Sequence, residues 1–323
     1  MDLCEEVSEL AHNVIFNIIL VAVIIISTIA IVIGIWTMFK RTNRILLHQN
    51  IRTLIIVHQL WLILNCIARI FANIYVLVAY QKNYDDQCGY MLFAWECYMI
   101  RIPITLTAFL STISIPSIVI ERAFSTYFSS RYEKFGKSIA VILIIAQIVI
   151  GVGSLLYIVI DLKLLGSVRI AYCATANGRN AQKIATTLGF YATAAFRFHR
   201  NEIHVSLSHR YQIIENIKSI QTLTPMMVLH SLFLALYLGA LFVYFAFGFT
   251  FSVRNAIFLE SVQQTPIYAL TLPIAIVWTE KHLEKTAEGN RQKAMELKGT
   301  EAANHHFVCI SMHFHFAKLS FNF

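Results

Sequence analysis

The chain has 323 residues, of which 57% are hydrophobic and 14% charged, and its net charge is +8. An average soluble domain carries about 25% charged residues, so these proportions exclude an ordinary soluble globular protein and, by the same arithmetic, a disordered one. Twelve Gly, five Pro and six Cys also exclude a collagen-like chain and a scaffold built from disulfides.

Long uncharged runs are what a bilayer requires, about 20 apolar residues for each crossing helix. In chain order they cover 14–39, then 53–80 with Arg69 inside it, then 90–120 with Glu96 and Arg101 near its start. The run 138–160 is bounded by Lys137 and Asp161, 223–251 is clean throughout, and 255–279 carries Glu260 in its second turn. Between the fourth run and residue 223 lies a harder case. Only 184–196 separates Lys183 from Arg197, and it is rich in Ala, Thr and Gly. It makes a short fifth span over 183–199 if Lys183, Arg197 and Arg200 reach back to the headgroups.

Charge supports that fifth crossing. With seven spans and the N-terminus outside, eighteen of the 26 Lys and Arg residues fall in cytosolic loops and tail, as the positive-inside rule requires. The N-terminal segment adds Asp2, Glu5, Glu6 and Glu9 with no basic residue. Without the fifth crossing the bias fails in the second half. The expected fold is therefore an all-α seven-transmembrane bundle over 14–280, with an extracellular N-terminus (1–13) and a cytoplasmic tail (281–323). The start lacks the basic n-region of a signal peptide, so the first helix is expected to be a retained anchor. There are no 20-to-50-residue repeats, which counts against an inverted-repeat transporter. The basic balance reads as loops facing anionic lipid rather than as nucleic-acid binding.

Several residues carry candidate chemistry. Cys88 precedes the third span and Cys173 follows the fourth; a bond between them would tie the outer loop over the bundle, the alternative being two unrelated thiols. Cys97, deeper on the same helix, reads as a buried thiol. Arg69, Glu96 and Arg101 are intramembrane charges, costly unless they face the bundle interior. Either Glu96 neutralises one arginine and the set only fixes packing, or the surplus positive charge receives an acidic or polar small molecule, with Glu260 at the rim. Glu121 and Arg122 sit where the third helix leaves the membrane, as ordinary interface charge or as a releasable latch. The lead-in 207–223, with Arg210 and Lys218, is a plain helical extension or a docking face for a cytosolic partner. Pro225, Pro266 and Pro273 are positioned to kink the last two helices.

The histidines at 199, 204 and 209 recur every five residues and so do not share a helix face. There is no HExxH, phosphate loop or nucleophile elbow, so neither a metal, a cofactor nor an enzymatic activity is expected.

The run Trp95-Glu96-Cys97 with Arg101 and Pro103 is followed by Glu121-Arg122 and Tyr127-Phe128-Ser129-Ser130-Arg131-Tyr132-Glu133-Lys134-Phe135-Gly136-Lys137. Later come Leu207-Ser208-His209-Arg210-Tyr211-Gln212-Ile213-Ile214-Glu215-Asn216-Ile217, Pro225 and His230. Together, over about 14–285, these resemble the nematode serpentine receptors of class alpha/beta. The resemblance implies a G-protein-coupled chemoreceptor in the plasma membrane of sensory neurons, at the cilium, that binds a small molecule and a heterotrimeric G protein. It also implies that Cys88–Cys173 is the outer-loop disulfide and that Glu121-Arg122 takes the place of the acid–arginine coupling motif. Two stretches depart from the family's pattern: the fifth span looks about ten residues short, and the tail from about Asn304 differs. Both are read as misassigned exon sequence. The competing readings are a transporter or channel subunit and a nonfunctional relative with a defective fifth helix.

Overall fold

The computed structural model describes residues 3–42, 49–127, 136–160, 169–173, 180–202, 210–246 and 252–296. It is a helix bundle. A short helix α1 (Leu3–His12) leads into α2 (Val14–Thr37), which is capped by the Asn13 side chain accepting from Phe16 N. Then follow α3 (Gln49–Tyr80), a 3-10 turn (Gln87–Tyr90), strand β1 (Leu92–Phe93) and α4 (Ala94–Tyr127). The second half comprises α5 (Ser138–Val159), β2 (Arg169–Ile170), α6 (Ala181–Glu202), α7 (Arg210–Ala246), α8 (Val253–Ser261) and α9 (Thr265–Glu296).

Burial follows composition. Helices α2, α3, α4, α5 and α7 are each long and apolar enough to cross a bilayer. Of these, α4 is the most enclosed, while α2 and α5 show apolar side chains all round and expose Ile15, Ile18, Ile142 and Val149. That distribution suits lipid as the solvent, because a water-facing helix would keep a polar stripe. Helix α4 is the hub and packs against α3, α5, α6 and α7. Gly151 lets α5 close on it, since a Cβ there would lie 2.7 Å from Leu110 Cδ2.

Two stretches differ from the sequence expectation. The helix that covers the expected fifth span, 183–199, is longer than that stretch. Helix α6 has 22 residues, about 33 Å at 1.5 Å each, and continues past the charges taken as its limits. What sets it apart is composition, since it is less apolar than the five helices above. Lys183 turns back to donate to the Tyr157 carbonyl (3.3 Å) with its ammonium over the Tyr157 ring. The last run, 255–279, is broken rather than continuous: α8 ends at Ser261 and α9 begins at Thr265. Pro266 falls in the first turn of α9, where its missing N–H costs nothing, while Pro225 and Pro273 lie inside α7 and α9.

One end of the bundle is capped. Helix α1, the 3-10 turn, the start of α2 and α8 share a cluster of Val7, Leu10, Phe16, Leu20, Tyr80, Tyr90 and Ala256. Strands β1 and β2 pair antiparallel, Leu92 opposite Ile170 and Phe93 opposite Arg169. Two disulfides fasten this end, Cys4–Cys88 and Cys97–Cys173. The expected Cys88–Cys173 pairing is thus incorrect, although both cysteines are bonded. The reason is where α4 begins. It starts at Ala94, so Cys97 lies in its first turn rather than deep in the helix, and the β-ribbon brings Cys173 to it. Cys88 is left on the 3-10 turn, which packs on α1 and its Cys4.

Candidate functional site

Helices α3, α4, α6, α7 and the α8–α9 break enclose a cavity of about 150 Å³ beneath the cap. Its walls are mainly apolar, including Ile104, Phe109, Leu188 and Leu234, with a few polar side chains among them. Residues 262–264, between the two helices, contribute Val262, Gln263 and Gln264 to the lining. The non-helical backbone of the break thus borders a cavity, where its polar groups need not face an apolar surround.

Arg69 is the charged residue of this wall. Its Nε donates to Asn65 Oδ1 at 2.9 Å and its Nη2 to Thr265 Oγ1 at 3.4 Å. Asn65 is itself fixed, its amide donating to the Ile104 carbonyl and to Thr107 Oγ1, both at 2.9 Å. Four residues before Arg69 on one helix, it aims the guanidinium while tying α3 to α4. Among the described residues Arg69 has no carboxylate partner.

Arg101 and Glu260 form an ion pair that is almost fully buried. Tyr172 Oη donates to the same Glu260 oxygen at 2.6 Å. Burial and the Glu260 carboxylate push the Tyr172 hydroxyl well above the usual tyrosine range, so it stays protonated and donates. Arg69, Arg101 and Glu260 together leave one positive charge over. Glu96 is not part of this group. It lies half-exposed at the start of α4 and accepts from Tyr75 Oη at 3.3 Å, because the opening turn of the helix points it at α3 rather than inward. Glu260, not Glu96, is the carboxylate that neutralises an arginine.

Deeper in the bundle a polar chain joins four helices. His58 on α3 bonds through Nδ1 to Ser114 on α4 and through Nε2 to Tyr268 on α9 at 3.0 Å. The His230 ring, on α7, lies 5.4 Å from the Tyr268 ring, edge to face. Both His230 and Tyr268 line the cavity. At the far end of α4 from the cap, Arg122 forms a bidentate pair with Glu121, Nε to Oε2 at 2.7 Å and Nη2 to Oε1 at 2.9 Å, and both side chains are buried. Arg210 and Lys218 lie on the first turns of α7, and their side chains fall outside the described residues. So do the side chains of His199, His204 and His209, the run 128–135 and everything after 296.

The structure therefore brings together Arg69, Arg101 and Glu260, keeps Glu121 with Arg122 at the opposite end, and separates Glu96 from both. Sequence reasoning missed Tyr172, Asn65, His58, His230 and Tyr268. Asn65 had a signal in its spacing from Arg69, and Tyr172 in its place beside Cys173. His58 and His230 stand alone in apolar runs, and their shared partner Tyr268 is 210 residues from the first of them.

A family model described as "Serpentine type 7TM GPCR receptor class ab chemoreceptor" matches residues 1–311. The match is wider than the 14–285 resemblance and takes in part of the tail that looked foreign to the family. The chain is 25% identical to serpentine receptor class alpha/beta-14 of Caenorhabditis elegans over 259 residues, which is 73% of this chain and 66% of that receptor. It is 23% identical to serpentine receptor class alpha-39 of the same organism over 166 residues, 47% of this chain and 44% of that receptor. The chain thus spans just under two thirds of the first relative and under half of the second. A bundle of membrane-length helices, disulfides at one end and a match through almost the whole length agree with one another, and the chain belongs to the serpentine class ab chemoreceptors, a seven-transmembrane receptor family of the G-protein-coupled type.

Proposed function

We propose that this chain is a chemoreceptor that binds a small acidic or polar molecule in the cavity beside Arg69 and signals through a heterotrimeric G protein at the Glu121–Arg122 end. The observation that carries the reading is a buried arginine with no carboxylate partner among the described residues, lining a cavity under a disulfide-fastened cap. A surplus buried charge costs several kcal/mol, which a ligand anion offsets. The capped end is the outer one, because disulfides persist on the oxidising side of a membrane, and the N-terminus tied to it by Cys4–Cys88 is outside as well. The tail is then cytoplasmic and the chain sits in the plasma membrane, at the cilium of a sensory neuron in keeping with its family.

The bound molecule favours one of two helix arrangements by fitting it better. The inner ends of α4, α6 and α7, with Arg122 and the stretch holding Arg210 and Lys218, then present the G-protein contact. A reporter cell expressing the chain at its surface tests this: small acids evoke a response that needs the G protein. Flux of ions or solute without any G protein would replace the receptor reading with a transporter or channel.

A further inference from the structure

The cavity has two unsatisfied polar places at different depths. Near the cap, Arg69 offers a guanidinium whose Nη1 takes no partner among the described residues, and Gln264 Oε1 on the same wall is also unpartnered. Deeper, His230 is 8% exposed and its Nε2 is buried with no hydrogen-bond partner. Thr265, which receives Arg69, and Tyr268, which packs on His230, are one turn apart on α9, about 4.5 Å along the axis. Between them the wall is apolar, with Phe109, Leu188 and Leu234 facing the space. A cavity of about 150 Å³ is of the size that accepts one benzene ring.

We infer that the ligand is a small carboxylate, monocyclic or short-chained, whose far end carries a hydrogen-bonding group: the carboxylate pairs with Arg69 and the far group meets His230. This rests on the receptor reading for its meaning and sharpens it. A neutral apolar molecule would leave the arginine unpaired, and a purely apolar acid would leave His230 unsatisfied; each omission forfeits a buried polar interaction. The far group also touches the head of the chain from His230 through Tyr268 and His58 to Ser114, so the same molecule reaches α7, α9, α3 and α4 at once.

The test uses the full chain in lipid nanodiscs with three probes: 4-hydroxybenzoate, benzoate and phenol. Equilibrium binding is expected to be about tenfold tighter for 4-hydroxybenzoate than for phenol, and about fivefold tighter than for benzoate. Arg69→Gln should abolish the first difference and His230→Phe the second, with thermal stability and both disulfides checked in each variant. Equal binding of the three probes by the unaltered protein, or no binding of any, overturns the inference without depending on a variant's folding. So does 4-hydroxybenzoate binding that is unchanged by Arg69→Gln. Signalling fails separately: probes that bind as stated but evoke no G-protein response defeat the receptor reading and leave the ligand class standing, and a response to neutral molecules alone does the reverse.

Discussion

Tyr172 holds Glu260 through a 2.6 Å hydrogen bond, and its chain neighbour Cys173 is bonded to Cys97 in the first turn of α4. The disulfide therefore sets the position of a hydroxyl that closes over the buried Arg101–Glu260 pair. Cys4–Cys88 does something else, pinning α1 and its apolar face to the 3-10 turn. Cys97→Ser is expected to lower stability by about 2–4 kcal/mol and to weaken ligand binding, because Tyr172 is released from Glu260. Cys4→Ser should cost similar stability and leave binding close to that of the unaltered chain. Thermal unfolding and probe binding on both purified variants check this; equal losses of binding would show that the two bonds are interchangeable.

The ion pair itself gives a second prediction. Arg101 and Glu260 are buried together, so removing one strands the other without a counter-charge. Glu260→Met or Arg101→Met alone should destabilise the protein by about 3–5 kcal/mol, and the double replacement should regain most of that loss. Unfolding midpoints of the three variants decide it. A double variant no better than the worse single would mean that the pair is held by more than its mutual attraction.

Much of the fold was legible in the chain because lipid imposes a simple rule, long uncharged runs between charged loops. The helices α2, α3 and α5 begin and end close to where their flanking charges place them. Where charges sit inside an element the rule loses resolution. Lys183 lies in the first turn of α6 and marks its start closely, whereas Arg197 marked a limit that is not there, and α6 runs on past it to Glu202. The break between α8 and α9 falls at Gln263 and Gln264, which are polar but uncharged, so runs drawn between charges pass over it. Of the site, the intramembrane charges announced themselves, but their pairing did not. Glu96 is five residues from Arg101 in sequence, and Glu260 reaches it across the bundle from 159 residues away. The disulfide partners failed for a related reason, namely that the exact start of α4 decides which cysteine faces the loop that carries Cys173.

Close helix packing supplies a third prediction. A Cβ on Gly151 would meet Leu110 Cδ2 at 2.7 Å and Cγ at 3.2 Å, whereas a Cβ on Gly153 would meet nothing within 4 Å. Gly151→Ala should therefore cost about 1 kcal/mol as Leu110 is forced to move, and Gly153→Ala should be neutral or slightly stabilising through helix propensity. Adding Leu110→Val to Gly151→Ala should restore part of the loss if the contact is the cause. Unfolding of the four proteins side by side is the measurement, and equal effects at 151 and 153 would remove the packing explanation.

The last prediction concerns the end opposite the cavity. Arg122 and Glu121 are adjacent in sequence, buried, and joined by two parallel hydrogen bonds. Fork-to-fork pairs of this kind are geometrically specific, so releasing the arginine requires the acid to give up both bonds together. If Arg122 is the group that meets the G protein, Arg122→Ala should abolish ligand-evoked signalling in the reporter cell while binding of 4-hydroxybenzoate stays within about threefold, since the cavity lies near the other end of α4. Glu121→Gln keeps the shape but weakens the charge on the acceptor, and should raise signalling in the absence of ligand. The two substitutions thus pull in opposite directions from one contact. A purely structural pair would behave otherwise: both variants would lose surface expression and binding in proportion to stability, and neither would raise the basal signal.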